Sequence, residues 1–380
     1  MKKESETASQ KAWDYIWSRI YCGKTSLFYD FLVSDAADAN IYHLPTPELI
    51  ACQVPNPCGY GTGMEDSALN GGMMLDAVLS RYAVHGEESM RIYADKIFRG
   101  LKLCATVSER TGFVARSVSP ADGKSHYSNS SRDQYTHWVY SMYNYYASPL
   151  CTDIQKKHIQ KILVEIAERI ETDVTPENGW NLLREDGKCG IVCQMWGNIG
   201  KHEYLRLPMF YAAAYKVSGN EHWNKMYLQY RDEAMDKTYS IDFSLYQSVY
   251  PLLQMQYSLR FLYDVDTDEV FRKRCMQVMI RGAEFYKTKA KDVSESFCST
   301  AEETHFSYRY LPWDKAKAAY NGFFGGKAYY NPNQGCLAEN VSNYPMRDVG
   351  DSGALVALCG GMSDETLLKA VEQMLYAVDY

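Results

Sequence analysis

The chain has 380 residues, of which 46% are hydrophobic and 23% charged, and this composition is ordinary for a globular protein that buries a sizeable core. Its formal net charge of −7 argues against a nucleic-acid partner, since phosphate binding usually needs a basic face. No apolar run approaches the roughly 20 residues that a membrane-spanning helix needs, and the first ten residues lack the apolar core of a signal peptide.

Helical patterns alternate along the chain and predict an all-α fold. An amphipathic helix is predicted near 7–22, and pairs of helices follow it. In each pair the first helix is rich in small and aromatic residues, which suits burial on all sides, whereas the second has one charged face. A short strand hairpin is predicted near 112–116. The five pairs are predicted near residues 66–105, 132–172, 204–238, 243–290 and 350–378.

A short motif recurs at the turn within three of these pairs. Residues 82–88 read Tyr-Ala-Val-His-Gly-Glu-Glu, and residues 215–221 read Tyr-Lys-Val-Ser-Gly-Asn-Glu. A third copy, at 263–269, keeps Tyr, Val and Glu but has Thr267 in place of glycine. The motif predicts a helix end, a tight turn and a new helix, because glycine adopts the left-handed conformation easily and acids suit a helix N-terminus.

This succession of hairpins resembles the six-hairpin, (α/α)6-barrel glycosidases and their relatives over nearly the whole chain. Two segments, 63–71 (GMEDSALNG) and 129–138 (NSSRDQYTHW), resemble those of bacterial glycosyl hydrolases of the gut Bacteroides type. The resemblance implies a single domain over residues 1–380, folded as an (α/α)6 toroid with a carbohydrate site at one mouth. The N-terminal helix and the aromatic stretch near 303–320 would supply the sixth pair.

The segments that lead into the first helices of the pairs are unusually rich in acids, arginines, histidines and aromatic rings. If these helices are parallel, the segments gather at one rim of the toroid, whereas the turns at the opposite end are short and plain. We therefore predict the functional site at this rim, where loops on a rigid scaffold can hold it. The segments are residues 57–66, 126–133, 196–206, 296–313 and 343–351.

Glycoside hydrolysis usually requires two carboxyl groups, one protonated and one ionised. Asp133 is the first candidate and is predicted to be the general acid. The resemblance to unsaturated-glucuronyl and rhamnogalacturonyl hydrolases, whose acid/base aspartate begins an inner helix, points to the same residue. Asp66, at the start of another first helix, is predicted to activate water or orient the sugar. Either acid could instead only cap its helix or complement the helix dipole.

Other side chains on the predicted rim suit contact with a substrate. Asn70 and the histidines can hydrogen-bond sugar hydroxyls, and the arginines can bind a uronate carboxylate through two hydrogen bonds, which favours an acidic sugar. The arginines could equally pair with neighbouring acids, and each histidine could be structural. The predicted substrate-binding residues are His137, Arg132, Asn70, His202, Arg206, His305, Arg309, Trp313, Arg347, Asp348 and Tyr60.

Three alternatives to a hydrolase remain open on the same scaffold. In a polysaccharide lyase, Tyr204 or His202 would abstract the proton next to a uronate carboxylate that Arg206 neutralises. A sugar 2-epimerase would use paired histidines. In a non-catalytic carbohydrate-binding protein, Asp66 and Asp133 would only cap helices.

The eleven cysteines are scattered along the chain, and many lie within helical patterns. This distribution indicates reduced thiols and a reducing compartment, so we expect a cytoplasmic protein. A periplasmic location, with a leader removed, is the alternative, since relatives that degrade glycans are often found there. Cys189 and Cys193 lie four residues apart, but no second Cys/His pair completes a zinc site. We therefore expect no metal and no cofactor.

Overall fold

The structure is a computed structural model that describes residues 2–30, 44–54, 56–60, 62–246, 249–300, 343–359 and 365. Of these, residues 2–7, 288–300 and 343–349 are described by their backbone alone. This part of the chain is mostly helical, which confirms the predicted all-α class. None of its helices combines the length and the apolar character that crossing a bilayer requires.

The described residues contain eleven α-helices and two short antiparallel strand pairs. The strand pairs are β1 (Tyr21–Cys22) with β2 (Leu27–Phe28), and β3 (Asn181–Leu183) with β4 (Cys189–Gln194). The helices are α1 Lys2–Tyr15, α2 Pro47–Ala51, α3 Ser67–His85, α4 Met90–Thr106, α5 Arg132–Ala147, α6 Asp153–Asp173, α7 Arg206–Ser218, α8 Glu221–Tyr239, α9 Tyr250–Val265, α10 Glu269–Thr300 and α11 Asn343–Leu358.

Four of the five predicted helical pairs are confirmed, as α3 with α4, α5 with α6, α7 with α8, and α9 with α10. Helix α11 is the first helix of the fifth pair, whereas its predicted partner and the aromatic stretch near 303–320 lie outside the described residues. The N-terminal helix also forms, with α1 continuing into a π-helical turn at Ile16–Ile20.

The recurring motif forms the predicted turn at both of its glycine copies. Gly86 ends α3 with φ 66°, and its backbone N–H donates to the carbonyl of Tyr82 at 2.8 Å. Gly219 ends α7 with φ 67°, and its N–H donates to the carbonyl of Tyr215 at 2.7 Å. Both glycines therefore form the left-handed helix end that closes the first helix of a pair.

The third copy of the motif makes a different turn. Asp266 ends α9 with an extended backbone (φ −76°, ψ 150°). The carboxylate of Asp268 then accepts from the backbone N–H groups of Val270 at 2.9 Å and Phe271 at 3.2 Å, which caps α10. Without glycine, the chain thus closes this hairpin by side-chain capping and not by a left-handed residue.

The first helices of the pairs pack against one another, and the second helices pack against first helices of their own and of neighbouring pairs. Helix α3 contacts α5, α5 contacts α7 and α9, and α9 contacts α11. The second helices α4, α8 and α10 lie against α3, α7 and α9, respectively. Helices α7 and α9 are buried on nearly all sides, as their apolar sequences predicted.

The prediction of a strand hairpin near 112–116 is wrong. This segment has no regular structure, and its backbone is paired with other elements. The N–H of Ala115 donates to the carbonyl of Cys104 at 2.8 Å, and the N–H of Val114 donates to the Tyr135 hydroxyl at 3.1 Å. Partners on α4 and α5 thus satisfy backbone groups that a second strand would otherwise bind.

Candidate functional site

The N-terminal ends of four first helices meet, and this meeting point is called the rim below. From α5, the Gln134 amide donates to Asp66 Oδ1 at 2.6 Å, at the start of α3. From α7, Arg206 donates to Asp133 on α5 and to Gln254 near the start of α9. These contacts require α3, α5, α7 and α9 to begin at the same end, so these four helices run in the same direction.

Asp133 lies in the first turn of α5 but does not cap it. The cap is Ser131, whose hydroxyl accepts from the Gln134 N–H at 3.4 Å. The Asp133 carboxylate instead accepts from Arg206 Nη1 at 2.5 Å and from the Tyr250 hydroxyl at 3.3 Å. The interpretation of Asp133 as a helix cap is therefore not supported.

The electrostatic surroundings of Asp133 favour its ionised form. Burial raises the pKa of the Asp133 carboxyl, but the guanidinium groups of Arg206, Arg132 and Arg116 outweigh burial and lower the pKa to about 2. A carboxyl with this pKa carries no proton at neutral pH. It suits the work of a base or of a stabilising negative charge better than the predicted work of a proton donor.

Asp66 is the residue before α3, yet its side chain makes no capping hydrogen bond. Its carboxylate accepts from Arg116 Nη2 at 3.2 Å and from the Gln134 amide at 2.6 Å. The side chain is 36% exposed, whereas that of Arg116 is only 4% exposed. Asp66 is therefore held from its buried side by a cation and an amide, and its other side is open to solvent.

Asp30, a residue that the sequence analysis missed, binds the segment that leads into α3, whereas the first-turn N–H groups of Ala68 and Leu69 donate to the Arg116 carbonyl and to Gln134 Oε1, at 2.9 Å each. Asp30 Oδ2 accepts from the backbone N–H groups of Glu65 at 2.6 Å and Asp66 at 3.0 Å, and its Oδ1 accepts from the Asn70 amide at 2.8 Å. Burial, followed by the negative charge of Asp66, raises the pKa of Asp30 to about 8. A carboxyl with a raised pKa thus lies beside Asp66 at the start of α3.

Arg116 was also missed, although the sequence carries a signal for it. It is the only charged residue in the apolar stretch 113–118, and a lone charge among apolar residues is usually buried and paired. Its Nε donates to the carbonyl of Glu65 at 2.7 Å, and its guanidinium lies 4.8 Å from the centre of the Tyr60 ring. Tyr60 therefore contacts the site through Arg116.

A buried carboxylate, Glu203, organises the other side of the rim. It pairs with Arg132 Nε, and its Oε1 lies 2.8 Å from His202 Nε2. The other ring nitrogen of His202 lies 3.0 Å from the Tyr246 hydroxyl. Burial raises the pKa of Glu203, but the charge of Arg206 and the bond to His202 outweigh it, so the net shift is downward.

The two predicted arginines with described side chains are both neutralised by carboxylates. Arg132 pairs with Glu203, and its Nη1 donates to the carbonyl of Gln194 at 3.0 Å. Arg206 is 1% exposed and pairs with Asp133. The ion-pair interpretation of these arginines is therefore supported over a free clamp for a uronate.

His137 is buried one turn further along α5 than Asp133. It is 2% exposed, and its ring packs edge-on against Tyr257 with 4.9 Å between the ring centres. Its backbone carbonyl faces Gly72 of α3 so closely that an added Cβ would lie 2.8 Å from the oxygen. His137 thus contributes to the packing of α3, α5 and α9 beneath the site.

The remaining predicted residues have no described side chains. Arg347 and Asp348 belong to helix α11, of which these residues are described by backbone alone. Three others, His305, Arg309 and Trp313, lie outside the described residues.

The hairpin of β3 and β4 borders the site and contains backbone strain. The Asn129 side chain binds both backbone groups of Ile191, accepting from its N–H at 2.8 Å and donating to its carbonyl at 3.1 Å. Val192 follows with φ 57°, a conformation that a β-branched residue rarely adopts. Such strain persists only where the surroundings impose it, and it is common beside functional sites.

Within the described residues, no three His, Cys, Asp or Glu side chains are arranged to hold a metal ion. The cysteines whose side chains are described are free thiols, with Cys189 exposed and Cys193 buried.

Comparison of the chain with family models, with curated proteins and with solved structures found no match. The function is therefore argued from the site itself.

Proposed function

We propose that the chain is a glycoside hydrolase of the (α/α)6 toroid architecture that cleaves an oligosaccharide. The observation that carries this proposal is the pair of carboxylates, Asp133 and Asp66, in unequal surroundings at the shared start of four parallel helices. Such a difference is what glycoside hydrolysis requires, because one carboxyl must donate a proton while the other stays ionised. A ring of six helical pairs within one domain is part of the proposal.

The pKa of Asp133 favours an exchange of the two predicted roles. Because the neighbouring arginines hold the pKa of Asp133 at about 2, we assign it the ionised role, as a base or as the charge that stabilises an oxocarbenium-like transition state. Asp66 is then left with the role of proton donor to the leaving oxygen, and its carboxyl is open to solvent on one side, where a substrate could reach it.

The charges around the site favour an uncharged sugar over a uronate. The carboxyls of Asp30, Asp66, Asp133 and Glu203 face three arginines, each of which already contacts at least one of these acids. A uronate would have to displace a carboxylate from an arginine and would meet the remaining negative charges. An oligosaccharide of neutral sugars would displace no carboxylate and would not be repelled by the negative charges.

The polar groups that a lyase would use are engaged in other contacts. The Tyr204 hydroxyl donates to the carbonyl of Gly197 at 2.5 Å, and both ring nitrogens of His202 have partners. Arg206, which would neutralise the uronate, is bound to Asp133. These contacts favour the hydrolase over the lyase, and the depth of His137 disfavours an epimerase with paired histidines.

The test is turnover on a panel of neutral and acidic oligosaccharides, measured as new reducing ends. We expect activity on neutral substrates, and we expect Asp133→Asn and Asp66→Asn to lower kcat/KM by about 100-fold or more. Asp153→Asn is the matched control, because Asp153 also lies in the first turn of a helix but is exposed and remote from the rim.

The same panel separates the alternatives. Equal activity in the three variants would show that the carboxylate pair is wrongly assigned. A product that absorbs in the ultraviolet would identify a lyase, and an isomerised sugar without new reducing ends would identify an epimerase. Binding without turnover would identify a carbohydrate-binding protein.

A further inference from the structure

Asp76 lies beneath the rim, in the middle of α3. It is the tenth residue of a helix that begins at Ser67, so a rise of about 1.5 Å per residue places it about 15 Å from Asp66 along the helix axis. Asn70, Met73 and Asp76 follow one another at intervals of three residues, and each is partly accessible. An accessible side of α3 therefore leads from the candidate site to Asp76.

The close contact between α3 and α5 brings Asp76 beside Tyr140. A Cβ at Gly72 would lie 2.8 Å from the backbone oxygen of His137, so the two helices nearly touch there. Asp76 lies one turn further along α3 than Gly72, and Tyr140 lies about one turn further along α5 than His137. Since the two helices run in the same direction, Asp76 and Tyr140 lie on the two sides of this contact. Burial and then the charge of Asp76 raise the pKa of Tyr140.

Helices α9 and α11 complete the surroundings of Asp76. The centre of the Tyr257 ring of α9 lies 4.6 Å from that of Tyr140 and 4.9 Å from that of His137. Burial, followed by the charges of Asp76 and Asp351, raises the pKa of Tyr257, and Asp351 belongs to α11. Four first helices thus contribute polar side chains to one group, which we call the central cluster: Asp76, His137, Tyr140, Tyr257 and Asp351.

The charge of Asp76 is not compensated, in contrast to those of Asp66 and Asp133, which pair with arginines. Within the described part of the chain, neither a hydrogen bond nor an ion pair reaches the Asp76 carboxyl, and burial raises its pKa to about 6. Arg260, a cation that acts on the cluster from α9, pairs with Asp264 at 2.8 Å. Burying a carboxylate without a partner costs free energy, so such a group in a site is a candidate for ligand binding.

We propose that the central cluster is a deep subsite for the oligosaccharide, in which the Asp76 carboxylate binds hydroxyl groups of a neutral sugar. A carboxylate accepts hydrogen bonds, and sugar hydroxyls donate them. The sugar would give Asp76 the partner that the described residues do not provide, whereas a uronate would meet the negative charges of Asp76 and Asp351. This inference rests on the proposed function, because the accessible side of α3 joins the subsite to the carboxylates at the rim.

The first test requires no activity and compares the unfolding free energy of wild type and Asp76→Asn from about pH 4 to about pH 8. The folded pKa of Asp76 lies above its unfolded value, so wild type loses stability as the pH rises from about 4 to about 6. The amide has no charge to bury. We therefore expect Asp76→Asn to be more stable than wild type above about pH 6, and the difference to shrink towards pH 4.

The other ionisable groups around Asp76 are present in both proteins, so their titration largely cancels in this comparison. They are His137 and Tyr140 on α5, Tyr257 and Arg260 on α9, and Asp351 on α11.

Asp95→Asn is the matched control for the stability test. Asp95 is also a partly accessible acid within a helix, but it binds Arg99 at 2.5 Å and the Gln155 amide at 2.9 Å. Its replacement should lower stability or leave it unchanged. A loss of stability in Asp76→Asn over the whole pH range would show that the carboxyl supports the fold, and it would overturn the proposal.

The second test measures the binding of neutral oligosaccharides by calorimetry and their turnover by new reducing ends. We expect Asp76→Asn to raise Kd and KM by about tenfold or more with little change in kcat, because the hydrogen bonds of a charged acceptor are strong and Asp76 is remote from the bond that breaks. Asp95→Asn should keep the wild-type values. A wild-type Kd and KM in Asp76→Asn would contradict the inference.

The two proposals fail in different ways. If wild type binds neutral oligosaccharides without cleaving them and Asp76→Asn binds them more weakly, the hydrolase function is wrong and the subsite stands. If wild type cleaves them and Asp76→Asn has the same KM, the function stands and the subsite is wrong. If wild type neither binds nor cleaves them, both proposals are wrong.

Discussion

Arg206 donates a hydrogen bond from Nη1 to Asp133 Oδ1 at 2.5 Å, although the two residues begin different helices and lie 73 positions apart. The arginine is 1% exposed and the aspartate 20% exposed, so the pair has lost most of its contact with water. Removing ions from water costs free energy, which only close and well-directed partners offset. The same contact therefore ties α5 to α7 and keeps the site carboxylate ionised.

Replacing Arg206 by methionine should destabilise the protein and raise the pKa of Asp133. Without the cation, burial acts on the carboxyl with less opposition, so its pKa should rise from about 2. Breaking a buried pair by removing one partner costs about 3–5 kcal/mol. Urea unfolding at pH 7 measures the loss, and carboxyl NMR measures the pKa.

The stability that the Arg206–Asp133 pair contributes depends on pH, and the sign of this dependence is definite. The folded pKa of Asp133 lies below its unfolded value, so its stabilising contribution is present above about pH 4 and is lost as the pH falls through about 2. The gap between wild type and Arg206→Met should therefore narrow in acid. Arg99→Met is the control, since Arg99 is 68% exposed, and its loss should cost less than about 1 kcal/mol. Equal losses in the two variants would contradict the prediction.

Gly72→Ala should separate the two helices that carry the candidate carboxylates. A Cβ at Gly72 would lie 2.8 Å from the backbone oxygen of His137, and backbone cannot move aside as a side chain can. Since α3 presents Asp66 and α5 presents Asp133, we expect a loss of about 1–3 kcal/mol in unfolding free energy and a fall in turnover. Thermal melting and the reducing-end assay measure the two effects.

The adjacent Gly71 offers a matched control for this prediction. A Cβ there would lie 3.0 Å from Cδ2 of Leu101, the far end of a flexible side chain. Gly71→Ala should therefore cost less than Gly72→Ala. If Gly71→Ala lowered the unfolding free energy more than Gly72→Ala, close packing between α3 and α5 would not be the cause of the loss.

The helical pairs and their turns could be predicted because their signals are local. Apolar periodicity and one glycine are enough to mark where α3 ends at Gly86 and α7 ends at Gly219. The rim could also be predicted, because the composition of the connecting segments differs between the two ends of the pairs. The prediction of a hairpin near 112–116 was wrong, because the local pattern does not reveal the partners that α4 and α5 provide.

The partners within the site could not be predicted, because they lie far apart in the sequence. Nothing near Asp30 indicates that it binds the segment before a helix more than 30 residues away. The predicted proton donor, Asp133, has its pKa lowered by Arg206 from another helix, so local position alone gave no basis for its charge state. The sequence pattern indicated where the carboxylates lie, whereas contacts between distant parts of the chain determine the ionisation of Asp133.

Gly86→Ala and Gly219→Ala should each destabilise the protein through backbone strain alone. Both glycines have positive φ, and a Cβ at either would meet no atom within 4 Å, so steric contact makes no contribution. A left-handed conformation costs a residue other than glycine roughly 1–2 kcal/mol. Urea unfolding should show this loss in each variant and its near-sum in the double variant, because the sites lie on different hairpins.

Gly23→Ala is the control for these two variants. Its Cβ would also meet no atom within 4 Å, but Gly23 does not adopt the left-handed conformation. The substitution should leave stability unchanged or raise it slightly by restricting the unfolded chain. A loss at Gly23 equal to that at Gly86 would mean that φ is not the cause.

His126→Gln should remove a pH-dependent part of the stability. His126 Nε2 lies 3.0 Å from Glu185 Oε2, and its Nδ1 lies 2.8 Å from the carbonyl of Lys124, so the protonated ring donates from both nitrogens. Burial lowers the pKa of His126, but the bond to Glu185 outweighs it, and the net shift is upward. A raised folded pKa means that the contribution is complete below about pH 6.5 and is lost as the pH rises through the folded value. The unfolding free energy of wild type should therefore fall across this range, whereas that of His126→Gln should change less.

The control is His222→Gln, since His222 makes a similar contact with Glu171 at 2.9 Å but is 46% exposed, and surface pairs contribute little. Parallel pH curves for wild type and His126→Gln would show that the pair with Glu185 does not stabilise the fold through its charge.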